Sequence, residues 1–94
     1  MEYRLELTPA AERDLKRLPR NIQQGILFTH LPEIQTDPYE LGTPLHGTLK
    51  GERSYHFGYR PEYRIIYLIE DELITVTIIG TREGIYKRAK RHGR

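Results

Sequence analysis

A chain of 94 residues with 37% hydrophobic content suits one small domain spanning residues 1–94 and leaves no room for a second core. Cysteine is absent, which excludes disulfides and thiolate metal sites, and His30, His46, His56 and His92 are too scattered to suggest a zinc site by spacing. The net charge of +2 is unevenly spread: residues 87–94 carry Lys87, Arg88, Lys90, Arg91 and Arg94 with no acid, whereas the other 86 residues hold 10 basic and 13 acidic side chains, net −3.

A cluster of that kind favours phosphate, the plain alternative being a solvated tail that aids solubility. No apolar run approaches the roughly 20 residues of a membrane span, and Met1-Glu2-Tyr3-Arg4 begins neither a signal nor a transit peptide. These features predict a soluble, cytoplasmic protein without membrane contact and without a cofactor.

Tyr3-Arg4-Leu5-Glu6-Leu7 alternates as a first strand. Thr8 is a good N-cap and Pro9 a good first helical residue, and Ala11, Leu15 and Leu18 then share one face of a short helix that Pro19 stops. Asn21 is placed to cap a second helix with an apolar surface of Ile22, Ile26, Leu27, Leu31 and Ile34, so a helical hairpin is expected. Pro32 removes a hydrogen bond and crowds the preceding turn, which predicts a kink or break near Leu31. Asp37 to Pro44 reads as a loop, and Leu45 to Gly51 leads onward.

Ser54-Tyr55-His56-Phe57-Gly58-Tyr59 alternates strictly, with Tyr55, Phe57 and Tyr59 on one face. Arg60-Pro61-Glu62-Tyr63 is read as a type I or II turn. Tyr63 to Glu70 is rich in β-branched and aromatic residues and apolar on both faces beyond Arg64, as a central, covered strand would be. Asp71-Glu72 turns the chain again, Leu73 to Ile79 makes the next strand, and Gly80 stops it. A short basic helix from about Glu83 to Arg91 ends the chain. The layout is α+β: an N-terminal strand, a helical hairpin, a three-stranded antiparallel meander and a short basic C-terminal helix.

At this point the chain resembles a known family. Leu45-His46-Gly47, Glu62-Tyr63-Arg64-Ile65-Ile66-Tyr67, Ile78-Ile79-Gly80-Thr81-Arg82 and the spaced Tyr86 are similar, in order and spacing, to the RelE/ParE superfamily of bacterial and archaeal toxins of toxin–antitoxin pairs, on the RelE side. The resemblance covers nearly the whole chain and implies a RelE-like toxin domain. It implies a ribosome-dependent messenger endoribonuclease without a metal, in which a ribose 2′-oxygen attacks the adjacent phosphate. It implies as partners a cognate antitoxin, the ribosome and mRNA, and a higher-order toxin–antitoxin complex that binds operator DNA through the antitoxin.

Carried over by position, Arg64 matches the arginine of the family's tyrosine-arginine strand, Arg82 the arginine after the last strand, and Tyr86 the tyrosine four residues on. His56 falls where the well-studied subgroup has a strand lysine and Gly58 where it has a second, so the lysine pair is absent. The general base is therefore open: His56 replaces it, or Arg60 and Lys50 supply charge from nearby loops, or activity is weak. The expected catalytic set is Arg64, Arg82, Tyr86 and His56. The expected RNA-binding set is Lys50, Arg60, His46, Lys87, Arg88, Lys90 and Arg91.

Each has a structural alternative. Arg64 could pair with Glu62 or Glu83, an exposed contact worth about 0–1 kcal/mol. Arg82 and Tyr86, one helical turn apart, could simply stack, and Tyr86 could dock the last helix. Two competing functions also stand: a ParE-like inhibitor that binds DNA gyrase with no nuclease chemistry, and a catalytically dead RNA-binding relative.

Overall fold

The computed structural model describes residues 3–92, with the backbone alone for 89–92. Strand β1 (Arg4–Leu7) leads through Thr8 into helix α1 (Pro9–Lys16), where the Thr8 hydroxyl accepts from the Ala11 N–H at 3.1 Å and Pro9 occupies the first turn. Helix α2 (Arg20–Gly25) begins directly after Pro19 with no side-chain cap, so the expected cap at Asn21 is not used.

The expected break near Leu31 is instead a π-helical turn, Ile26–His30, that runs without interruption into α3 (Leu31–Thr36). The Leu31 N–H reaches back five residues to the Ile26 carbonyl. Pro32 would clash with the Phe28 carbonyl in an α-helix, and a turn widened by one residue relieves that contact.

The stretch read as a loop contains two short elements. Helix α4 (Pro38–Leu41) is capped by the Asp37 carboxylate, and β2 (Thr43–Pro44) pairs antiparallel with β3 (Arg53–Phe57). A single 3₁₀ turn, Gly47–Leu49, precedes β3. The meander continues with β4 (Tyr63–Glu70) and β5 (Leu73–Thr81), and helix α5 (Arg82–His92) follows without a linker. In the β3–β4 turn Gly58 and Arg60 both take positive φ and the Arg60–Pro61 peptide is cis, so it is not the expected type I or II turn. Tyr59, expected beside Tyr55 and Phe57, is 80% exposed at this tip because the strand ends at Phe57.

The three strands belong to a five-stranded sheet in the order β1-β5-β4-β3-β2, with β1 parallel to β5 and β4 at the centre. One face packs on α1, the π-helical turn and α3 through Ala11, Leu15, Ile26, Leu31, Ile34, Ile65, Tyr67, Ile74, Val76 and Ile79, all buried. The other face buries Ile66 beneath α5, whose Ile85 is 3% exposed.

A bulge sets which residue faces which layer. Ile66 pairs with Ile78 but Tyr67 pairs with Val76, so Thr77 is an extra residue on β5. Before the bulge Ile74 and Val76 face the α1–α3 layer, and after it Ile79 does. The shift leaves Gly80 paired with Arg64 on the α5 face, where Ile85 packs within 3.7 Å of the place a Cβ would occupy. Among the described residues no helix is long and apolar enough to cross a membrane.

Candidate nucleic-acid interface

The site is built where β4, β5 and α5 meet. Side-chain alternation puts Arg64, the second residue of β4, on the α5 face, between His56 on β3 and Gly80 on β5. β5 passes without a gap into α5, so Arg82 opens the helix and Tyr86 follows one turn later on the same side. The Gly84 N–H donates to the Thr81 hydroxyl at 3.2 Å, closing the first turn.

Three of the four residues expected to be catalytic converge. The Arg64 guanidinium lies 5.7 Å and that of Arg82 5.4 Å from the centroid of the Tyr86 ring, which is 52% exposed. Hydrogen bonding from Arg82, and then the charge of Arg64, holds the Tyr86 phenol below its ordinary value. Arg64 Nε donates to Glu62 Oε2 at 2.7 Å, the pairing the structural alternative anticipated. The hydrogen bond from Arg64 is the largest cause that holds the Glu62 carboxyl below the usual carboxylate range, and His56 and Arg82 add to it by charge.

His56 is exposed on β3 as the register partner of Arg64, on the same face as the cluster. Arg60, at the hairpin tip, stands 5.0 Å from the centroid of Tyr59. Together with Pro61, Glu62, Thr81, Arg82 and Glu83 these two line an open groove of about 450 Å³ alongside Arg82. His46 and Lys50 flank the 3₁₀ turn that packs against α5, and both are exposed.

The basic helix divides. Lys87 is exposed. Arg88, expected to face RNA as a free charge, is instead tied by Nη1 to Asp14 Oδ2 at 3.1 Å with 39% of its side chain exposed. The side chains of Lys90 and Arg91 lie outside the described residues. Among the described residues no group of three or more His, Asp or Glu stands together as a metal site.

Sequence reasoning missed Glu62 as the residue that serves both arginines, since its carbonyl also accepts the Arg82 N–H at 3.0 Å. It also passed over His30, which stacks on Phe57 at 3.9 Å and contacts the Tyr55 hydroxyl through Nδ1 at 2.8 Å. Burial lowers the His30 pKa.

A five-stranded mixed sheet with helices on both faces, and a basic cluster where the last strand meets the last helix, describes a RelE-like toxin fold. A chain of the toxin–antitoxin complex RelBE2 from Mycobacterium tuberculosis superposes with a TM-score of 0.78 at 27% identity, over 87% of this chain and all of that one. A double arginine-to-alanine mutant of the E. coli toxin RelE in the free state gives 0.68 at 22% identity over 98% of each chain. In sequence, Toxin RelG of M. tuberculosis is 34% identical over 94% of this chain and its own full length, and Toxin RelE of that organism 35% over 90% and 87%. Residues 5–86 also match the family described as ParE toxin of type II toxin-antitoxin system. The chain therefore belongs to the RelE/ParE superfamily of type II toxins, on its RelE side.

Proposed function

We propose that this toxin is a ribosome-dependent messenger endoribonuclease whose reacting phosphate is held by Arg64 and Arg82 beside Tyr86. The observation that carries the reading is the convergence of two guanidiniums on one exposed phenol, 5.7 and 5.4 Å from its ring centroid. A permanently charged, forked donor suits the phosphorane-like transition state, in which the 2′-oxygen bonds to phosphorus as the bond to the 5′-oxygen breaks. Arg64 meets Glu62 through its Nε, so both terminal nitrogens lie outside that ion pair.

The 2′-hydroxyl proton must leave and the departing 5′-oxygen must gain one, giving a cyclic phosphate and a free 5′-hydroxyl. His56 is the imidazole on the site's face, a group that can both accept and donate a proton, and Tyr86, with its lowered pKa, is the second proton-bearing group at the cluster. Lys50, Arg60 and Lys87 supply charge for the RNA and ribosome backbone around it, and His46 a further hydrogen-bonding side chain. A site with so few acid–base groups depends on the ribosome to position the messenger.

In the cell the toxin is held inactive by a cognate antitoxin segment, acidic and amphipathic or extended, that folds as it binds the basic groove. Both the M. tuberculosis RelBE2 and the E. coli RelBE neighbours were solved as toxin–antitoxin complexes. The RelE-side relatives favour nuclease action over a ParE-like block of DNA gyrase.

The test is to induce the chain alone, map messenger 5′ ends and assay gyrase supercoiling in the same cells. New 5′ ends within translated frames, with supercoiling unchanged, are expected. Inhibited supercoiling without new ends would replace this reading with gyrase inhibition, and normal growth with soluble protein would identify a dead relative.

A further inference from the structure

Asp14 is a charged side chain on α1 that is only 8% exposed. A carboxylate so placed is costly unless donors meet it. Its Oδ2 accepts two: the Ile79 N–H at 3.0 Å and Arg88 Nη1 at 3.1 Å. Ile79 lies three residues past Val76, the last β5 residue paired with β1, so its N–H has no ladder partner on that edge and takes the carboxylate. Arg88 comes from α5, which packs on the opposite sheet face from α1.

Ile79 stands three residues before Arg82, and Arg88 two residues after Tyr86. One carboxylate oxygen therefore closes both ends of the segment that bears Arg82 and Tyr86. α5 is also held near its start by Ile85 over Gly80 and by the Gly84–Thr81 hydrogen bond, and the Gly47–Leu49 turn packs against it.

We propose that Asp14 is a positioning residue: by holding Ile79 and Arg88 on a single oxygen it sets the angle at which α5 leaves the sheet, and so places Tyr86 between Arg64 and Arg82. The consequence for turnover rests on the ribonuclease reading above; the placement of Tyr86 does not. The lowered Tyr86 pKa reports that placement, because it arises from Arg82 and Arg64 and disappears if the ring moves away.

The test titrates Tyr86 by NMR in protein carrying labelled tyrosine, with Tyr86→Phe to assign the signal. Arg88→Gln leaves the Asp14–Ile79 bond in place, and Asp14→Asn keeps an acceptor for Ile79, so both variants are expected to fold. In each, the Tyr86 titration should move up toward that of free tyrosine and the cross-peaks between its ring and the Arg64 and Arg82 side chains should weaken. Arg88→Lys, which retains a cation for the carboxylate, should restore part of the shift. Arg13→Gln removes an exposed positive charge next to Asp14 without touching the contact and should leave the titration in place.

An unchanged Tyr86 titration in folded Arg88→Gln, or an equal shift in Arg13→Gln, would overturn the proposal. Ribosome-dependent cleavage is read separately, with a loss of about tenfold expected for Arg88→Gln. A shifted titration in a protein whose wild type cleaves nothing would retain the positioning role and defeat the ribonuclease reading.

Discussion

The backbone N–H of Arg82 donates to the carbonyl of Glu62 at 3.0 Å. The side chain of that same glutamate accepts from Arg64 Nε at 2.7 Å. One residue at the hairpin end thus fixes where α5 begins and where the Arg64 fork points. Glu62→Ala should lower ribosome-dependent cleavage by about tenfold, because Arg64 loses its preset direction. Glu62→Gln, which retains an acceptor oxygen, should lose less. Since Glu62 titrates below its ordinary value of 4.5, its pairing is present above that value and is lost only as pH falls through the lowered one. Cleavage should therefore show no acid limb from Glu62 between pH 5 and 8. Equal loss in Ala and Gln variants would place the glutamate outside this role.

Gly42 leaves no room for a side chain: a Cβ there would overlap the Tyr67 hydroxyl and lie 2.8 Å from Tyr67 Cζ and 3.1 Å from Arg53 Cβ. Tyr67 cannot move aside easily, since it is fully buried and its hydroxyl donates to the Pro38 carbonyl at 2.7 Å, with burial pushing its pKa up to about 12. Gly42→Ala should destabilise by about 1–3 kcal/mol in chemical denaturation. Tyr67→Phe, which strands a buried carbonyl, should cost about 1–3 kcal/mol. Their double mutant should cost less than the sum, as the phenylalanine makes room for the methyl.

His30 makes stability depend on pH. Burial lowers its pKa below 6.5, so the unfolded chain binds the proton more readily than the folded one. Its contribution is complete above about pH 6.5 and declines as pH falls toward the lowered value. Unfolding free energy should drop between pH 7 and 5, and His30→Phe should flatten that slope whatever it does to the absolute value. A slope unchanged in the variant would move the effect to other groups.

Arg88 is paired with Asp14, so it adds less to the free positive field than Lys87 does. Neutralising Lys87, Lys90 and Arg91 should reduce ribosome affinity and flatten its salt dependence by about one unit of slope for each phosphate no longer neutralised. An unchanged slope would make these residues bystanders.

What was legible in the chain is what local chemistry dictates. Thr8-Pro9 starts α1, the alternation of Tyr55 and Phe57 marks a half-buried strand, and the β-branched runs of β4 and β5 read as central strands. Arg64, Arg82 and Tyr86 were singled out through the resemblance to the toxin family, and the fold brings their side chains together because a strand position, a strand end and one helical turn converge. The rest depended on contacts distant in sequence. Pairing of β1 with β5 joins Leu7 to Val76, and nothing local declares it parallel. The extra residue at Thr77 has no signature in a run of alternating threonine and aliphatic residues. Pro32 announced a disturbance, but whether the helix breaks or widens is decided by burial of Ile26, Leu31 and Ile34 on one continuous face. Asp14 reads as one charge among many on α1 until β5 and α5 close around it.

The proposed cleavage turns on Arg82, which the Glu62 carbonyl fixes at the start of α5 beside Tyr86. Single-turnover cleavage of messenger on purified ribosomes, with ribosome affinity measured in parallel, tests it most directly. Arg82→Ala should lower the cleavage rate by about 10²-fold or more, or about 2.7 kcal/mol of transition-state stabilisation, with affinity nearly intact. Arg82→Lys should recover only part, since an ammonium keeps the charge and loses the fork. Full cleavage by Arg82→Ala, or a rate that falls only in proportion to occupancy, would contradict the assignment.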